Sequence, residues 1–164
     1  MADLLHIGKE NMDILIINAL LDSLMKIFNT MIGVMPEPGI PTPKSDDISL
    51  GEVTGMMLME AEMAKGSMAI SFSQGAIAKV ANKMLGDKLK KIDDAAKDLT
   101  GEMTNMLVGG AKSILAERGY DFDMSTPEIL SGKQHKIEHK YDGQTVILPF
   151  TLDKDKFYLE INFQ

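Results

Sequence analysis

The succession of local patterns repeats along this chain, and that repeat constrains the fold more than any single motif. A long apolar helical segment, a proline-marked connection and a strand hairpin run from residue 10 to 73, and the same order runs again from 93 to 163. In the first half, Met12 to Val34 is rich in Ile, Leu and Met. Pro36, Pro38, Pro41 and Pro43 then stop any helix, because proline lacks an amide hydrogen and clashes with the preceding turn, so this stretch is expected to be a connector. Gly51 to Met63 reads as an extended strand, Ala64 to Ser67 as a turn, and Met68 to Phe72 as the return strand, whose alternation buries one face.

Between the halves, Ser73 can cap a helix over 74–85, with Ile77, Val80, Ala81, Met84 and Leu85 at helical spacing and Gly86 closing it in a left-handed conformation. The second long helix begins near Asp93-Asp94, where acids suit the positive end of the helix dipole, and ends at Gly119 after Lys112 and Arg118. Beyond a strand at Pro127, Lys136 to Tyr141, the Asp142-Gly143 turn and Gln144 to Leu152 predict a hairpin, and Asp153 to Lys156 turns the chain into a last strand, Phe157 to Phe163. Pro149 interrupts an apolar alternation, so its strand should meet an edge or carry a bulge there. The expected fold is a pseudo-symmetric α+β domain, a two-layer α/β sandwich whose mixed, largely antiparallel sheet carries its helices on one face. Sliding the halves until Gly33 meets Gly119 also brings Pro41 onto Pro127 and sets Ile16 and Ala19 in the places of Glu102 and Asn105.

Composition narrows the function classes. At 164 residues with 45% hydrophobic content, the chain can bury the core of one domain spanning 1–164. A net charge of -7 argues against a nucleic-acid backbone as partner, since such binding needs clustered Lys and Arg. The absence of cysteine excludes disulfides, thiolate metal ligands and a thiol nucleophile. Met1 to His6 shows no basic region followed by an apolar one, so a cytoplasmic location is expected. Met12 to Val34 is interrupted by Asn18, Asp22, Ser23, Lys26 and Asn29. A charge at the centre of a span costs about 2.5–3.5 kcal/mol, so this segment is expected to be a central helix buried on several sides, with no membrane insertion.

The chemistry-bearing pattern lies on the second long helix. Asp98, Glu102 and Asn105 stand at i, i+4 and i+7 and share one face at about 100° per residue, a stripe that Gly109 and Lys112 extend. Leu99, Met103, Leu107, Gly110 and Ile114 form the opposite, apolar stripe. Taken alone, Glu-x-x-Asn is an ordinary solvated pair on a surface helix. An exposed carboxylate is a poor general base at neutral pH, its reference pKa being about 4.3. A carboxamide, by contrast, donates and accepts at once and can hold a water in line with a phosphorus atom. Phosphoryl transfer depends on such positioning more than on covalent help.

Asp98, Glu102, Asn105 and Pro127 together resemble the signature of the CheC/CheX family of chemotaxis phosphatases, and the order of elements along nearly the whole chain is similar. The resemblance implies a protein aspartyl-phosphate phosphatase acting on a CheY-like response regulator. In it Asn105 orients the attacking water, Glu102 pairs with the regulator's lysine, and Asp98 is a supporting docking or capping residue; Gly109 and Lys112, on the same stripe, are further candidate docking residues. Mg2+ would come with the regulator, with no metal site or cofactor in this chain. With the motif in one half only, the chain is most similar to one-site, CheX-like members, which implies a homodimer. The alternative is a non-catalytic dimeric binding module of the chemotaxis or flagellar switch apparatus.

Other features carry less. A glycine inside a helix costs about 1 kcal/mol relative to alanine. Gly110 is expected to admit a neighbouring element, and Gly109 either relieves crowding or clears space for a partner. His135 and His139 fall in a turn-and-strand segment and are expected at the surface rather than on zinc. Lys88, Lys90 and Lys91 read as a solvated connection, and the 14 methionines mainly as core filler.

Overall fold

Ser73 and Gly86 mark the ends of the middle helix, as their chemistry predicts. Ser73 Oγ accepts the amide of Ala76 at 3.1 Å, and Gly86 closes the helix at φ 72°. A serine cap of this kind contributes about 1 kcal/mol. The computed structural model describes residues 9–164, so the reading of Met1 to His6 lies outside the described residues. Its helices are α1 (Lys9–Ile27), prolonged by a wide turn over Phe28–Ile32, α2 (Gln74–Leu85) and α3 (Asp94–Glu117). Its strands are β1 (Glu37–Pro38), β2 (Thr42–Pro43), β3 (Val53–Glu60), β4 (Lys65–Phe72), β5 (Asp123–Met124), β6 (Glu128–Ser131), β7 (Thr145–Leu152) and β8 (Asp155–Phe163).

The sheet shows the repeat directly. Its order is β1-β7-β8-β4-β3-β5, with β2 also on β7 and β6 also on β3. Each hairpin contributes its second strand to the centre, β4 beside β8, and each outer flank is closed by short strands from the opposite half. The sheet is thus wholly antiparallel rather than mixed: two hairpins related by a pseudo-twofold axis meet antiparallel at β4 and β8. The proline-marked connector is itself partly strand, since β1 and β2 line the edge of β7. Pro149 explains the gap between them. Its carbonyl accepts Gly39 N at 2.7 Å, so the side of β7 where proline has no hydrogen faces this broken edge, while pairing with β8 continues without a bulge.

The expected strand over Lys136–Tyr141 is absent. Its alternation has no free edge to join, because β7 already has partners on both sides, and only Ile48 and Lys136 form a bridge there. Residues 132–144 instead cross the sheet face opposite the helices. On the helix side one core gathers both halves: Phe157 of β8 lies 5.2 Å from Phe28 and 5.0 Å from Phe150, both stacked, and 5.4 Å from Phe72.

Met12–Ile32 is long and apolar enough to cross a membrane by length and composition, but it packs against α3, and its Phe28 stacks on Phe157 of the sheet. It is buried along one face, through Ile16, Leu20, Leu24 and Phe28, rather than on several sides, and Ile14, Asn18, Asp22 and Lys26 are exposed. The buried positions also correct the register between the halves. Met12, Ile16, Ala19, Leu20, Ser23, Leu24 and Ile27 correspond to Ala96, Thr100, Met103, Thr104, Leu107, Val108 and Ala111. In this register Ile14, Asn18 and Leu21 take the places of Asp98, Glu102 and Asn105. Matching Gly33 to Gly119 instead would put the buried Ile16 and Ala19 on exposed positions.

Candidate functional site

α3 is held rigidly before it offers anything to solvent. Asp93 caps it by accepting Ala96 N at 3.0 Å. Thr104 sits over Gly55 of β3, where a Cβ would fall on its hydroxyl, and Ile129 of β6 lies against Gly101. On its other flank Ser23 of α1 donates to Leu107 O at 2.8 Å, and a Cβ on Gly110 would collide with Ser23 Oγ. Gly110 therefore lets the two helices touch, as its place on the apolar stripe suggests. Pro127 opens into β6, whose Ile129 supports α3 at Gly101, so the distant proline and the helical motif belong to one structural unit.

The face left over carries Asp98, Glu102 and Asn105, all exposed, with Gly109 and Lys112 half-buried along the same stripe. Among the described residues, the side chains of Asp98, Glu102 and Asn105 form no hydrogen bond or ion pair, so no described residue competes for them. Gly109 differs from its neighbour, because a Cβ there would meet nothing within 4 Å. Crowding inside the protein does not account for it. Among the described residues, no group of three His, Asp or Glu side chains is placed to hold a metal ion.

The opposite sheet face holds polar residues that periodicity could not locate. Glu160, 1% exposed, accepts Lys44 Nζ and His139 Nε2, each at 3.1 Å, and His139 Nδ1 lies 2.9 Å from Ser67 Oγ. His135 Nε2 lies 2.6 Å from Thr54 Oγ1, and His135 Nδ1 lies 2.7 Å from Gly132 O. Both histidines thus pin residues 132–144 to the sheet and are not free surface groups. A neighbouring cavity of about 740 Å³ is lined by Lys44, Asp46, His139, Tyr141 and Asn162. Burial, with Glu60 nearby, raises the Tyr141 hydroxyl above its usual pKa. These residues staple a loop and stand on the other side of the sheet from α3.

The acid and the amide thus stand on an open helix face, outside any enclosing pocket, where a macromolecular partner can reach them. Comparison with known proteins gives the family. Residues 53–151 match the family described as chemotaxis phosphatase CheX. The CheY-P phosphatase CheX of Thermotoga maritima is 30% identical over 143 residues, 86% of this chain and 90% of that protein. A CheC-like superfamily protein from Shewanella sp. PV-4 shares 44% identity and a TM-score of 0.85, over 92% of this chain and 98% of that one. The CheX of a CheX–CheY–BeF3–Mg2+ complex from Borrelia burgdorferi shares the fold, with a TM-score of 0.73 at 24% identity over 90% and 97% of the two chains. The chain belongs to the CheX family of chemotaxis phosphatases.

Proposed function

We propose that this chain, working as a single domain, removes the phosphoryl group from the aspartate of a CheY-type response regulator. Asn105 orients the attacking water through its carboxamide. Glu102, one turn away on the same face, pairs with a lysine of the regulator and fixes the docking. Asp98, Gly109 and Lys112 complete the contact surface. The observation that carries this reading is the exposed pair Glu102 and Asn105, without a side-chain partner among the described residues, on a helix whose opposite face is locked into the core. The name of the Thermotoga relative, a CheY-P phosphatase, supports the substrate class. The Borrelia complex, alike in fold, contains CheY and Mg2+ and supports a metal ion carried by the regulator. A cytoplasmic homodimer accords with such a partner.

The test is the decay of a CheY-type regulator phosphorylated with acetyl phosphate and Mg2+, with and without this protein. Native protein should accelerate decay, and Asn105→Ala should lose about a hundredfold of that acceleration, the scale of removing one polar group that positions the reaction. Glu102→Ala should raise KM more than it lowers kcat. Binding of the phosphorylated regulator without faster decay would replace catalysis with the binding-module reading.

A further inference from the structure

We propose that Lys26, on α1, is a positioning residue that helps seat the phosphorylated partner on Asn105. The inference rests on the phosphatase reading and extends its surface onto the helix that lacks the motif. α1 and α3 run antiparallel. Ser23 touches Leu107 and Gly110, while Leu15, Asn18 and Asp22, earlier on α1, share a groove with Ile114, Leu115 and Arg118, later on α3. Moving from Ser23 to Lys26 is therefore a step of about 4.5 Å back along α3, from Leu107 toward Met103–Met106, the turn that carries Asn105.

Lys26 is exposed and, among the described residues, its ammonium has neither an ion pair nor a hydrogen bond. Neutralising the negative end of the helix is a weak reason for it, because the helical path continues from Ile27 through Phe28–Ile32. The electrostatics of the face supply a stronger one. Among the described residues, Asp98 and Glu102 are exposed and have no ion-pair partner, and the chain carries a net charge of -7. A phosphoryl group brought to Asn105 meets these carboxylates, and like charges disfavour the approach. Lys26, across the helix contact, and Lys112, further along α3, bracket Asn105 with positive charge. The face is thereby polarised: its carboxylates suit a cation on the partner, and its lysines suit the phosphoryl oxygens and acidic groups around them.

The test compares kcat and KM for native protein, Lys26→Gln, Lys26→Glu and Lys26→Arg on the acetyl-phosphate-labelled regulator at low and high NaCl. Lys140→Gln, on the opposite sheet face, controls for a general loss of positive charge. Lys26→Gln should raise KM about three- to fivefold with kcat within about twofold, Lys26→Glu should raise it further, Lys26→Arg should stay near native, and the differences should shrink in salt. Unchanged KM in both Lys26→Gln and Lys26→Glu, or an equal rise in Lys140→Gln, would overturn the proposal. Failure of the phosphatase reading is visible separately, as native protein that accelerates nothing. Affinity for the BeF3-activated regulator then decides: weaker binding by Lys26→Glu than by native protein upholds the docking role, and equal binding rejects it.

Discussion

α1 and α3 occupy equivalent places in the two halves, lie against each other at the Ser23–Leu107 contact and cover the same sheet, yet of the two only α3 carries the Glu-x-x-Asn pair. The positions they share are the buried ones: Ala19 with Met103, Leu20 with Thr104, Leu24 with Val108. The positions that differ lie on the outward stripe, with the exposed Ile14 and Asn18 and the half-buried Leu21 where α3 has Asp98, Glu102 and Asn105. Folding constrains the inward stripe of a surface helix and leaves its outward stripe free, so a repeat can keep its architecture while one copy loses or never holds chemistry. Lys26 suggests that the silent helix still serves the site of its partner.

Side chains on the outward stripe give the sharpest test. Asn105→Ala should lose about a hundredfold of the acceleration, with stability unchanged within about 0.5 kcal/mol by urea unfolding. Asn18→Ala, at the equivalent of Glu102, should change neither. Loss of activity in Asn18→Ala would mean that α1 takes a direct part in the site and that the halves are less different than they look.

Two adjacent glycines separate folding from docking on α3 itself. Gly110→Ala pushes a methyl group into Ser23 Oγ and should cost about 1–3 kcal/mol of stability. Gly109→Ala meets open space and should stabilise the protein by about 1 kcal/mol through helix propensity, while raising KM for the phosphorylated regulator. Equal loss of stability in both would show that Gly109 serves packing after all.

Periodicity and capping made much of this legible. Ser73, Gly86 and Asp93 mark helix ends by local hydrogen bonding, and the face of Asp98, Glu102 and Asn105 follows from helical geometry alone. What could not be read depends on contacts between distant segments. Phe157, Leu159, Ile161 and Phe163 predict which face of β8 enters the core, and the alternate residues Glu160 and Asn162 then look solvated. Residues 132–144 roof that second face, so both are 1% exposed. The same roof explains the false strand at Lys136–Tyr141, whose alternation points Ile137 inward without any sheet edge to pair with. Lys26 was inconspicuous because its value depends on which turn of α3 it adjoins.

The hairpin turns give the smallest difference between the halves. β3 and β4 are joined through Ala61–Ala64, closed by Ala61 N donating to Ala64 O at 2.9 Å. β7 and β8 are joined by Asp153 and Lys154 alone, with Asp153 at φ 58°, and Lys79 of α2 reaches Asp153 and, at 3.8 Å, Asp155. Lys79 thus ties the second hairpin to a helix that follows the first. Hydrogen bonding and charge from Lys79 lower the Asp153 pKa. A carboxylate whose folded pKa is depressed contributes stability above its unfolded value and loses it as pH falls through the folded one. Asp153 is fully exposed, so the effect should be slight. Native protein should exceed Lys79→Gln in urea midpoint by a small margin at neutral pH, and the two should converge as pH falls below the ordinary carboxylate range. A margin that persists in acid would assign the role of Lys79 to packing of its methylene chain on α2, and the two hairpins would then be anchored alike.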